Sequence, residues 1–269
     1  PDYIAKNSYK VIHGLKDELA ISSIRWYSKI KPLLPSFADS VAGIGHINLF
    51  PDADGSIRSQ THAIGYLENT FVPSFPMAIV KAFKGLDDSD IRLILGEGID
   101  IKVTPSKTLR IAATGFDMPT LIKWNDGPGV AFHATPFRKV LKKEFQTSLF
   151  RGKIVIIGPT APGIGDSFVT AVSSALPGVE IIANSVSNIL KEEFFVRPQY
   201  FTFVELGLIL LFGLYISFLL PRLKAGTGAI MTLILFLSYG TAGTVLFFHS
   251  NIWLKITPQI ALLILGYIL

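Results

Sequence analysis

The sequence predicts an α/β domain over residues 1–200, followed by a bundle of three membrane-crossing helices over residues 201–269. Three observations support this. Apolar runs at 203–220, 227–248 and 252–269 each approach the length of about 20 helical residues that a bilayer core of about 30 Å requires. Charge is segregated, with 22 of the 25 Lys and Arg and 19 of the 20 Asp and Glu lying before residue 201. Within that first part, short β-branched runs alternate with helical patterns and with turns rich in Gly, Pro and Asp.

Residues 1–40 read as amphipathic and irregular, because Pro32 and Pro35 interrupt any long helix. A β-hairpin is expected next. Gly45–Phe50 and Ser56–His62 would be its strands, and Pro51-Asp52-Ala53-Asp54-Gly55 its turn. A helix follows over 73–83, with Ser74 as its cap and Pro76 in the first turn. Strands are expected at 99–103, 109–113 and 120–124, and a short helix at 136–143. Residues 153–157 form a β-branched run of the kind that fills a strand covered on both faces. After Pro177-Gly178, residues 179–190 read as a helix with Val179, Ile182, Val186 and Ile189 on one face.

Composition excludes several function classes. With no cysteine, the chain has no disulfide framework, no Cys-ligated zinc and no thiol nucleophile. The isoelectric point near 9.3 would suit nucleic acid. The basic residues are scattered, however, with no run of five, so no nucleic-acid partner is expected. The sequence opens on Pro1 with no signal peptide or leading apolar segment. It therefore reads as a piece of a longer protein that has lost an export signal or a first membrane span.

The candidate chemical motifs are incomplete. Gly158 and Gly163 have P-loop spacing, but Ile164 stands where the phosphate-binding Lys belongs. A dinucleotide fingerprint through Gly163 and Gly165 would place Phe168 at its third glycine. Aligning Gly55 with the glycine of a calcium loop puts Phe50 and Thr61 at ligand positions that neither can fill. His13, His46, His62, His133 and His249 lack metal-site spacing, and no Gly-x-Ser-x-Gly elbow occurs. No catalytic residue, metal ligand or cofactor is expected in residues 1–269.

The apolar segments carry orientation. The connection between the first two spans contains Arg222 and Lys224, while the next holds only Lys255 at its edge. The positive-inside rule places Arg222 and Lys224 in the cytoplasm, and residues 1–200 on the other side. Gly213 with Ser217, and Gly240 with Thr244, have the spacing that lets helices pack closely, within one chain or between two. Glu205 near the outer end of span one reads either as an interface residue or as a buried functional carboxylate.

Several ordered stretches resemble the CHASE2 family. They are Gly45-His46-Ile47-Asn48-Leu49-Phe50-Pro51-Asp52-Ala53-Asp54-Gly55-Ser56-Ile57-Arg58, then Pro73-Ser74-Phe75-Pro76. Next come Gly152–Gly158 with Gly163-Ile164-Gly165-Asp166, and Pro177-Gly178-Val179-Glu180-Ile181-Ile182-Ala183-Asn184. The resemblance covers about residues 32–269 and includes the three apolar runs. It implies an α/β extracytoplasmic sensor domain, incomplete at its N-terminus, followed by a three-helix transmembrane bundle. The implied setting is a multi-pass receptor of the bacterial inner membrane, with a covalently linked cytoplasmic effector that is not present in this sequence. The resemblance implies a class III adenylate or guanylate cyclase as that effector, or a histidine kinase, a Ser/Thr kinase or a diguanylate cyclase in its place. The implied partners are the lipid bilayer, an unidentified extracytoplasmic ligand and a second copy of the chain. Two rival readings are a tethered envelope enzyme or substrate-binding subunit, and a structural assembly module. His46, Asn48, Asp52, Arg58 and Asp166 are the candidate ligand contacts, since they gather at strand ends and loops. The competing reading has Asp52 and Asp54 holding a turn and Asp166 capping a backbone N–H.

Overall fold

A computed structural model describes residues 2–268, apart from 32, 39, 68, 69, 116, 162 and 199. Pro32 and the terminal Leu269 therefore lie outside the described residues. The chain divides into two compact units, Pro1–Phe194 and Phe195–Leu269.

The first unit opens with helix α1 (Asp2–Lys6), strand β1 (Val11–His13), helix α2 (Glu18–Ser23), strand β2 (Trp26–Tyr27) and a single turn α3 (Pro35–Ala38). Strands β3 (Ser56–Ile57), β4 (Ser59–Thr61), β5 (Ala63–Tyr66) and β6 (Thr70–Pro73) lead into helix α4 (Phe75–Lys84). A meander follows: β7 (Ile91–Ile94), β8 (Gly98–Thr104), β9 (Lys107–Ala112), then β10 (Pro119–Ile122). Helix α5 (Phe137–Leu141), strands β11 (Ser167–Thr170) and β12 (Leu176–Pro177) and helix α6 (Gly178–Lys191) complete it.

Period-two alternation builds the main sheet, β1-β7-β8-β9. Ile91 and Leu93 point inward with Arg92 outward, and Leu109 and Ile111 inward with Arg110 outward. β7, β8 and β9 pair antiparallel, while β1 joins β7 in parallel. Helices α4 and α6 cover this sheet. Met77 and Val80 from α4, and Val186 and Ile189 from α6, share one core with Leu93, Ile99, Ile101 and Ile111.

Local signals set the helix ends. The Ser74 side chain accepts the Met77 N–H, Pro76 occupies the first turn, and Gly85 closes α4 in the left-handed region at φ 64°. The buried face of α6 differs from the expected apolar stripe, because it includes Asn184 and Asn188. These side chains are satisfied across the packing interface. Asn188 accepts the Lys123 N–H at 3.0 Å and donates to the Lys123 carbonyl at 2.8 Å. Asn184 accepts from the Asn125 backbone and side-chain N–H groups at 3.2 and 3.0 Å.

Two strand expectations are corrected. The 51–55 turn forms, with the Asp52 N–H donating to the Ser56 carbonyl at 2.9 Å, but no hairpin follows. Ser56 and Ile57 pair instead in parallel with Val169 and Thr170, and β4 pairs with β10. Of the expected first strand, only His46 bridges, to Ser74. Residues 153–157 form no ladder. Ile154 and Ile156 pack on the core, whereas Val155 is 52% and Ile157 81% exposed, so the run is covered on one side only.

In the second unit, helix α7 (Phe201–Leu214) passes through a π-helical turn at Tyr215–Leu219 and a final turn at Leu220–Arg222. Helix α8 spans Ala225–Ser250 and helix α9 spans Thr257–Ile268. The continuous apolar helix Phe201–Arg222 has 22 residues and α8 has 26. At about 1.5 Å per residue, both can cross a bilayer core of about 30 Å.

The third apolar run is corrected at its start. Ile252 bridges Val196 and the Trp253 N–H donates to the Val196 carbonyl at 3.0 Å, so helix begins only at Thr257, ahead of Pro258. Its 12 described residues fall short of a span. Of the two settings expected for the small-residue pairs, packing within the chain does not occur at their glycines among the described residues. A Cβ added at Gly213 or Gly240 would meet nothing within 4 Å. One at Gly243 would lie 2.6 Å from Ile256, and one at Gly266 2.5 Å from Ile216. Within the chain, these latter glycines are where helices meet.

Candidate functional site

The first signature stretch runs beside the start of α4. The His46 N–H donates to the Pro73 carbonyl at 2.9 Å, and the Phe75 N–H donates to the His46 carbonyl at 2.8 Å. Gly45 makes this approach possible, since a Cβ there would stand 2.5 Å from backbone atoms of Ser74 and Phe75. Around the bridge lies a buried polar cluster. The Ser74 N–H donates to the His62 carbonyl at 3.1 Å, and the Tyr9 hydroxyl donates to the same carbonyl at 2.9 Å. Ser74 Oγ and His62 Nδ1 share a hydrogen bond of 2.8 Å. Because Ser74 Oγ accepts the Met77 N–H, its own proton is free to donate to a neutral His62 ring. The His46 ring is buried, and both its nitrogens lack partners among the described residues.

Burial dictates the electrostatics. Desolvation, then the neighbouring His62, pushes the His46 pKa from 6.5 down to about 3. Desolvation pushes that of His62 down to about 4. Burial likewise raises the Tyr9 hydroxyl. An unfolded chain takes up both imidazole protons near pH 6.5, whereas the folded chain resists them. Stability from these groups is thus complete above pH 6.5 and is lost as the pH falls toward 4. The slope is at most about 1.4 kcal/mol per pH unit for each histidine. Denaturant unfolding in detergent at pH 7.5, 6.5 and 5.5 is expected to show this decline. His46→Phe, which removes no hydrogen bond, is expected to fold and to reduce the slope by about half. An unchanged slope in that variant would contradict the assignment.

The remaining candidates separate. Arg58 donates to Asp52 at 2.8 Å and to both Asp54 oxygens at 2.9 and 2.6 Å, and the Ser56 N–H donates to Asp54 at 3.0 Å. Hydrogen bonds from Arg58 hold the Asp54 carboxyl below the usual carboxylate range. This exposed cluster locks the turn. Asn48 contributes its backbone carbonyl to Gln60, at 3.5 Å. Asp166 is exposed, and only its backbone carbonyl is engaged, by the Gly178 N–H at 3.0 Å. Its side chain caps no backbone N–H among the described residues. Parallel pairing of Ser56 with Val169 carries Asp166 toward the end of the sheet where the 51–55 turn lies.

The sequence reading missed Tyr9, His62 and Ser74 as a set, together with Asn184 and Asn188. It also missed a recess beside the cluster. Its walls are Asn7–Lys10, residues 42–44, the face of α4 from Met77 to Ala82, and Gly85 and Leu86 just beyond that helix, and its volume is about 130 Å³. Among the described residues no three His, Asp or Glu side chains gather to hold a metal.

In the second unit, Glu205 is paired with Arg197 at 2.7 Å and accepts the Lys255 N–H at 3.1 Å. The Gln259 side chain donates to the Glu205 carbonyl at 3.2 Å. The carboxylate therefore joins α7 to the segment that leads into α9.

The chain thus combines a mixed α/β domain that carries a recess with two helices long and apolar enough to cross a membrane. The CHASE2 domain family model matches residues 4–219, and the chain belongs to that family. Such a domain is an extracellular sensor of signalling receptors. No curated protein and no solved structure matches the chain.

Proposed function

We propose that the chain is the sensory and membrane-spanning part of a bacterial receptor, which relays an extracytoplasmic stimulus to a cytoplasmic class III nucleotide cyclase. The observation carrying this reading is a CHASE2 domain that continues into apolar helices of 22 and 26 residues, joined by a basic connection. Arg222 and Lys224 favour the cytoplasm for that connection. The 12-residue apolar helix from Thr257 is taken as the start of a third crossing rather than a full span, and completing that crossing would put the effector on the opposite side from the sensor. The receptor sits in the inner membrane and works as a homodimer. Gly213 and Gly240, which are open within the chain, are suited to contacts between copies. A ligand acts by binding two states of the sensor unequally.

Among the five residues singled out in the sequence, Asp166 has the freest side chain for a ligand. Asp52 and Arg58 would have to give up their mutual ion pair. His46 is enclosed beside the buried cluster, out of reach of a ligand at the surface, and Asn48 lies on the same stretch. Membranes carrying the full-length parent are expected to convert ATP or GTP to its cyclic nucleotide. Autophosphorylation without cyclisation would replace the cyclase by a kinase.

A further inference from the structure

The recess beside α4 combines an apolar floor with a cationic mouth. Ile44, Pro73, Met77 and Ala78 supply the floor. Lys10 and Lys81 line the mouth, with Asp88 as the carboxylate among the lining residues. Lys81 is ion-paired with Asp88. Lys10 donates to the Ala5 carbonyl and, at 3.4 Å, to Ser8 Oγ. No carboxylate pairs with Lys10 among the described residues. The mouth therefore carries one positive charge in excess, on a Lys10 ammonium whose protein partners are neutral oxygens.

We propose that this recess is the sensor's ligand site and that it takes a small organic anion, a short aliphatic carboxylate. The alkyl chain would lie against Met77 and Ala78, and the carboxylate would bridge Lys10 and Lys81, taking over from Asp88 as the partner of Lys81. The size of the recess restricts the chain to a few carbons. Its apolar floor disfavours a bare inorganic anion, which would lose hydration there without replacement. The site also has a mechanical link to the buried cluster. Tyr9 lines the recess and donates to the His62 carbonyl, and Pro73 lines it while accepting from the His46 N–H. Filling the recess thus bears on the strand–helix junction that holds the sensor together.

Binding is independent of the receptor reading, but its signalling consequence rests on it. The test is calorimetric titration of the whole chain in lipid nanodiscs with butyrate, butyramide and inorganic phosphate. Saturable butyrate binding is expected in the low-millimolar range, with butyramide and phosphate about ten-fold weaker or absent. Lys10→Gln and Lys81→Gln are each expected to weaken butyrate about ten-fold. Lys139→Gln, on α5 outside the recess, should leave it unchanged. Gly43→Leu keeps both lysines and fills the recess, since a Cβ there meets only Ala78, at 3.8 Å. It should abolish binding without lowering the melting temperature. Absence of butyrate binding, or binding that survives Gly43→Leu or both lysine changes, would overturn the site. Butyrate binding that leaves the parent's enzymatic output unchanged would instead count against the receptor reading and leave the site standing.

Discussion

Gly45→Ala is expected to destabilise the first unit by about 4 kcal/mol or more, a loss of the size reserved for specific steric failures. The added Cβ would stand 2.5 Å from the Phe75 nitrogen and from the Ser74 carbonyl carbon and oxygen. These are backbone atoms at the cap of α4 and cannot swing aside as a side chain would. Relief requires separating the chains, which breaks the bonds from His46 to Pro73 and from Phe75 to His46. It also pulls Ser74 from His62. For a unit of this size the midpoint of thermal unfolding should fall by about 10 °C. Gly43→Ala, two residues earlier, is the control, because its Cβ makes only ordinary contact with Ala78 at 3.8 Å. Equal effects of the two substitutions in detergent-solubilised protein would contradict the close approach at Gly45.

Arg197→Ala is expected to destabilise the helical unit by about 3–5 kcal/mol, because it leaves a carboxylate buried without its counter-charge. The Arg197 and Glu205 side chains are only 15% and 10% exposed, so solvent screens the pair weakly. Glu205→Gln should cost less than Arg197→Ala. A neutral amide oxygen still accepts the Lys255 N–H, which lies 3.1 Å from the carboxylate. The double change to Arg197→Gln and Glu205→Gln removes both charges and is expected to recover part of the loss. Thermal unfolding followed by near-ultraviolet circular dichroism distinguishes these variants. A double variant less stable than Arg197→Ala would show that the buried charge is not the cause.

Elements governed by neighbours in the chain were legible in the sequence. Ser74 and Pro76 mark the start of α4, and alternation at 99–103 and 109–113 marks two strands of the meander, though β7 at Ile91–Ile94 went unread. What escaped depends on distant partners. Turn chemistry at Asp52–Gly55 suggested a hairpin, but Ser56 found Val169, a pairing that no local window contains. The β-branched run at 153–157 has the composition of a strand but gains no ladder partner among the described residues. In the third apolar run, hydropathy continues through Ile252 while the backbone is held to Val196. The site was partly legible. Asp52, Asp54 and Arg58 are close in sequence and meet in space, yet they satisfy one another. His62, Ser74 and Tyr9 come together only through tertiary packing. Only Ser74 carried a signal, as a cap. Asn184 and Asn188 were legible in hindsight as polar residues four apart inside an apolar helix pattern.

The separation of sensor and effector by the bilayer is most directly tested by thiol labelling, for which a chain with no cysteine is already suited. Single cysteines at the exposed positions Ser89, Arg222 and Ser250 report on the domain and on both helix connections. In intact cells with a permeabilised outer membrane, an impermeant maleimide is expected to label Ser89→Cys and Ser250→Cys. Arg222→Cys should react only after the inner membrane is opened. Labelling of Ser89→Cys and Arg222→Cys from the same side would contradict a transmembrane relay.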